Sequence, residues 1–138
     1  MNTILPDLSR LIGAARLTSP AVSRMAGAAI FFLAIFLSGF WLSRSGRPYG
    51  LALFTLHKLI AVGAVIFLAV IVSRVHQAAP LGSHQMLAVA LTAICLAAAI
   101  LTGGLGSIGK PMPAVLLSLH HIAPYLAVAS AGVTLVLI

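Results

Sequence analysis

The sequence predicts an all-α integral membrane protein, an up-down bundle of four spanning helices built from two helical hairpin repeats. Three observations predict it. Of 138 residues, 62% are apolar and 7% charged, with eight Lys/Arg against one acid, Asp7; a soluble domain carries about 25% charged residues. Mean hydropathy is +1.19. The apolar residues also gather into four runs, each near the roughly 20 residues that cross a bilayer. The single acid excludes paired-carboxylate catalysis and an all-carboxylate metal cage. The single cysteine, Cys95, excludes a disulfide framework and a thiolate zinc site.

Residues 1–24 differ in pattern from the rest of the chain. Leu8, Leu11, Ile12 and Ala15 recur at helical spacing, with Arg10 and Arg16 on other faces. The pattern predicts a short amphipathic helix lying among lipid headgroups, with a disordered tail as the alternative. It lacks the layout of a cleavable leader.

The spans are expected at about 25–42, 51–73, 86–105 and 113–138, within a transmembrane domain covering 25–138. In lipid every backbone N–H and C=O needs a partner within the segment, so the spans are helices. Their connectors, SRSGRPYG, RVHQAAPLGSHQ and GSIGKPM, are short, which makes successive helices antiparallel neighbours. Lys/Arg asymmetry sets orientation. Arg10, Arg16, Arg24 and Arg74 on one side face Arg44, Arg47 and Lys110 on the other, which predicts both termini inside. These cations meet lipid headgroups. No aromatic-basic pattern points to nucleic acid.

The chain also repeats itself. Gly46-Arg47-Pro48 aligns with Gly109-Lys110-Pro111, and LFTLHKLIAVGAV from Leu53 aligns with LLSLHHIAPYLAV from Leu116, an offset of 116 − 53 = 63. Upstream, LSG at 37–39 echoes LTG at 101–103 if one residue is skipped. The halves are about 25–73 and 86–138. They share one topology, so the pseudo-two-fold axis runs along the membrane normal.

That alignment pairs His57 with His120. Both lie about 9–10 Å into spans running the same way, so the imidazoles sit at one depth on diagonal helices. Two facing imidazoles are the geometry for ligating a haem iron from both sides. Ala61 and Ala64 beyond His57, and Ala123 and Ala127 beyond His120, leave room for a flat macrocycle. Pro124 frees the His120 carbonyl. The alternative is a pair of polar residues hydrogen-bonded across helices, and small residues there also suit ordinary membrane packing. A bare metal site from His57, His120 and His121 lacks carboxylate or thiolate support.

His121 aligns with Lys58. Both either contact haem propionates and handle protons, or anchor the helix at the near surface. Trp41, Tyr49 and Tyr125 fit an aromatic belt, and Tyr125 also suits a porphyrin edge. Lys58 and Arg47 would favour the reduced haem, whose charge is more negative. His76 and His84 read as loop residues and Cys95 as packing.

The second span, LHKLIAVGAVIFLAVIVSRVHQAAP, resembles the bacterial cytochrome b561 family. The Leu56-His57-Lys58 opening, the long apolar run, the basic residue and the Pro-containing loop carry the likeness. The third span, ending LTGGL, and the fourth, LHHIAPYLAVA, are similar to their family counterparts over roughly 50–138. The resemblance implies four helices and two b haems in a bacterial cytoplasmic membrane. Two family ligands are missing: no histidine precedes His57, and Ala131-Gly132-Val133-Thr134 stands where a later histidine would be. Both would serve the terminus-side haem. The resemblance therefore implies a relative with one haem b, held by His57 and His120, that passes single electrons from quinol or a partner redox protein. The contrasting expectation is a haem-free four-helix membrane subunit, assembly factor or transporter.

Overall fold

The structure, a computed structural model, describes residues 19–46, 50–106 and 113–138. They form four helices: α1 Pro20–Arg44, α2 Leu51–Ala78, α3 Ser83–Leu105 and α4 Ala114–Leu137. All four are long and apolar enough to cross a bilayer, and no strand occurs among the described residues. The chain is an integral membrane four-helix bundle. The expected amphipathic helix lies outside the described residues over 1–18, as do Arg47, Tyr49 and Lys110.

The helix ends obey local chemistry. α1 begins five residues before the apolar run, because Ser19 accepts a hydrogen bond from the Val22 N–H at 3.3 Å and Pro20 occupies the first helical position. The segment 20–24, expected to belong to the interfacial region, is therefore the first turn of a span. α1 ends at Arg44 with Ser45 as its cap, and Gly46 comes next at φ +68°, a left-handed conformation that glycine adopts without steric cost. α2 runs five residues past the expected end and stops where Ala79 becomes extended ahead of Pro80. At the start of α3 the Gln85 side chain accepts from the Gly82 N–H at 2.8 Å and donates to the Leu137 carbonyl at 2.6 Å, tying α3 to the end of α4.

The helices pack in a ring. Contacts within each hairpin, α1 with α2 and α3 with α4, are extensive, while α1–α4 and α2–α3 touch lightly. The diagonal pairs make no backbone approach among the described residues. Two hairpins set side by side are the architecture the repeat predicts.

The hairpins close by different means. In the first, Phe31 and Phe67 stack at 5.3 Å, and each rests on a glycine of the facing helix. A Cβ on Gly63 would lie 3.1 Å from Phe31, and one on Gly27 would lie 2.5 Å from Phe67. The second is drawn together by small residues, with Ala123, Ala127 and Ala131 fully buried. Close backbone approach through such residues is how helices associate in lipid. The main apolar cluster, Ala28, Phe32, Leu68, Ile71, Ala127, Ala131 and Leu135, lies toward the chain termini, beside an apolar cavity of about 320 Å³ between α2, α3 and α4. Exposed large side chains such as Ile30, Leu33, Ile66, Ile94 and Val136 cover the outside, the surface that meets lipid.

Candidate functional site

His57 and His120 are each the seventh residue of their helix, counted from Leu51 and Ala114. α2 and α4 run the same way on diagonal corners, so the two rings share a level about 9 Å from the helix starts. Each heads the inward stripe of its helix. Below His57 come the buried Ala64, Leu68 and Ile71, and below His120 the buried Ala123, Ala127, Ala131 and Thr134. Ala64 and Ala127 occupy matching places in the two repeats and are each 1% exposed.

Each imidazole is held within its own hairpin. Ser38 Oγ on α1 lies 2.8 Å from His57 Nδ1, and Thr102 Oγ1 on α3 lies 3.1 Å from His120 Nδ1. The next residue in each case is a glycine under the ring. A Cβ on Gly39 would sit 3.1 Å from His57 Cε1, and one on Gly103 would sit 2.9 Å from His120 Cε1. The LSG and LTG segments thus perform one task twice: a hydroxyl takes Nδ1 and a bare backbone lets the ring approach. Ser38 and Thr102 are both buried, and no hydrogen bond to Nε2 of either histidine forms among the described residues.

The other expected site residues point elsewhere. Lys58 and His121, equivalent in the repeat, are both exposed on outer faces. The Lys58 ammonium sits 4.1 Å from the centre of the Phe54 ring, one turn back. Tyr125 packs on Phe36 of α1 at 5.2 Å and is 67% exposed. It is the twelfth of the 24 residues of α4, too deep for an aromatic belt, and its ring closes the α1–α4 seam from outside. The structure thus separates Lys58, His121 and Tyr125 from the space between the two histidines, and Arg47 is outside the described residues. The helix continues through Pro124. His76 accepts a hydrogen bond at Nδ1 from the Leu81 N–H at 3.3 Å and so caps the α2–α3 connection. His84 borders a groove of about 280 Å³ on the outer side of α3 and α4.

The donor set suits a haem better than a bare ion. Among the described residues no three His, Cys, Asp or Glu come together, and a metal held by protein alone takes more ligands than two imidazoles. A macrocycle brings four nitrogens of its own and needs only one or two further donors from the protein. His57 and His120, inward-facing at one level with Nε2 uncommitted, match that demand.

The opposite end of the bundle offers no such donors among the described residues. Ala131 is 1% exposed and Leu135 6%, and Thr134 shares a 2.9 Å hydrogen bond with Thr92. Of the positions where the resemblance would place a second ligand, Ala131 and Thr134 are committed to packing. Ser38, Gly39, Thr102 and Gly103 are the site residues that sequence reasoning does not assign, although the LSG and LTG echo carries their signal. Comparison with family models, with curated proteins and with solved structures finds no match to this chain.

Proposed function

We propose that the chain is a small b-type membrane cytochrome carrying one haem between His57 and His120 and passing single electrons. The observation that carries this reading is the duplicated ligand unit: two histidines at one level on diagonal helices, each held at Nδ1 by a hydroxyl of its own hairpin with Nε2 uncommitted. Bound there between His57 and His120, haem would supply one-electron redox chemistry. The protein's part is to hold and orient the two imidazoles, to exclude water with the surrounding helices and to bias the potential with nearby charge. Lys58 on the outer face of α2, and Arg47 in the connector that precedes α2, would favour the reduced state. Quinol in the bilayer or a partner redox protein is the electron source in this reading.

One observation favours a second reading. Each histidine already has a hydrogen-bond partner on the neighbouring helix, which is what a haem-free subunit, assembly factor or transporter with polar helix contacts would show. A reduced-minus-oxidised spectrum of the purified chain, expressed with haem available, separates the two. A low-spin b-type spectrum supports the cytochrome, and a colourless protein supports the second reading.

A further inference from the structure

Hydrogen bookkeeping at the two hydroxyls fixes more than the position of the imidazoles. Ser38 Oγ lies 2.7 Å from the Ala34 carbonyl and 3.1 Å from that of Ile35. Thr102 Oγ1 lies 2.7 Å from the Ala98 carbonyl and 3.2 Å from that of Ala99. A hydroxyl has one hydrogen, and a carbonyl oxygen can only accept. If the hydrogen were turned toward the imidazole, two lone-pair oxygens would face each other at 2.7 Å with nothing between them. The hydrogen therefore goes to the helix carbonyl, the back-bonding that Ser and Thr adopt within helices. The oxygen is left as an acceptor toward Nδ1.

We infer that Ser38 and Thr102 are positioning residues that lock His57 and His120 in the Nδ1–H tautomer. In each hairpin the order is imidazole Nδ1–H to hydroxyl oxygen, then hydroxyl hydrogen to backbone carbonyl. Nε2 of both rings carries the lone pair. The same arrangement recurs at Thr92, which donates to the Ala88 carbonyl at 3.0 Å and so accepts from Thr134. His76 provides the opposite case inside the same molecule. Its Nδ1 accepts from a backbone N–H, so in the neutral ring the proton is on Nε2.

The consequence for ligation rests on the cytochrome reading. A hydrogen bond from the remote ring nitrogen fixes the orientation of a metal-ligating histidine and raises its basicity, and losing such a partner typically costs 10–100-fold in metal affinity. A more basic pair of ligands favours the ferric state, so the hydroxyls would hold the potential down. The tautomer itself needs no haem.

The test is nitrogen NMR of the full chain in lipid nanodiscs, labelled with ¹⁵N-histidine and kept free of haem. The expected result is Nδ1–H at His57 and His120 and Nε2–H at His76. Ser38→Ala should release His57 into a mixture of tautomers and leave His120 unchanged, and Thr102→Val should do the reverse. Ser38→Thr and Thr102→Ser should restore the wild-type pattern. With haem added, the two hydroxyl-free variants should bind about 10–100-fold more weakly and show a raised midpoint potential, which loss of helix packing alone would not produce. Nε2–H at His57 or His120 in the wild-type chain overturns the inference, whatever the variants do. Nδ1–H at both rings in a chain that refuses haem leaves the inference standing and removes the cytochrome reading.

Discussion

His120 leans on Gly103 so closely that a Cβ at that position would lie 2.9 Å from its Cε1 and 3.5 Å from its Nδ1. The matching distance from Gly39 to His57 Cε1 is 3.1 Å. The two glycines are the reason each ring can reach the hydroxyl one residue earlier. Gly103→Ala should therefore displace the His120 ring, with an overpacking cost of about 1–3 kcal/mol. Thermal unfolding in detergent measures that cost, and in the cytochrome reading loss of the low-spin bands reports the ring. Gly39→Ala should be milder, because a shift of a few tenths of an ångström relieves it. A Gly39 variant more damaged than the Gly103 variant would show that this ordering of contacts does not govern the site.

Substitution separates the two adjacent histidines of α4. His120 heads the buried stripe while His121 is exposed, as a turn of about 100° between successive residues requires. In the cytochrome reading, His57→Ala and His120→Ala should each remove one axial donor and give a high-spin spectrum or loss of haem. His121→Ala should keep the low-spin bands. If His121→Ala loses haem while His120→Ala retains it, the alignment of the two halves is displaced by one residue.

The spans, their antiparallel order and the diagonal placement of His57 and His120 are all legible in the sequence. Length, hydropathy and short connectors determine those features in a bilayer. The partners of the histidines are not legible in the same way. Ser38 and His57 are 19 residues apart and Thr102 and His120 are 18 apart, so a single offset cannot align both helices of the repeat, and the hydroxyls fall out of register with the rings they hold. The early start of α1 escapes hydropathy because Ser19 and Pro20 act through capping, which hydropathy does not register. Tyr125 defies the belt expectation because closeness to a histidine in sequence does not make a residue interfacial. The helix begins at Ala114, which puts Tyr125 halfway along it.

Orientation is open to a direct measurement. The sequence expectation, from the four cations on the side of the termini against three on the other, is that both ends lie in the cytoplasm, which would put the histidine level in the outer half of the membrane. A reporter active only in the cytoplasm, fused after Ile138, should be active. A periplasmic reporter that is active at the same point would invert the arrangement and bring the two histidines to the inner side.

The number of haems tests the cytochrome reading against the packing of the bundle. One end presents two inward histidines with uncommitted Nε2 atoms. The other carries the buried Leu68, Ile71, Ala131 and Leu135 and a closed Thr92–Thr134 hydroxyl pair, beside an apolar cavity of about 320 Å³ between α2, α3 and α4. No histidine is among the residues lining that cavity, so it offers a second macrocycle no imidazole donor. His76 is engaged with the Leu81 N–H, and His84 lies outside the bundle against the α3–α4 groove. A pyridine haemochrome count on purified chain should therefore give one haem per polypeptide. Thr134→Val should lower stability by well under about 2 kcal/mol, as interhelical hydrogen bonds in membranes do, while leaving that count unchanged. A count of two would mean that the terminus-side end opens to admit a ligand set this packing does not contain.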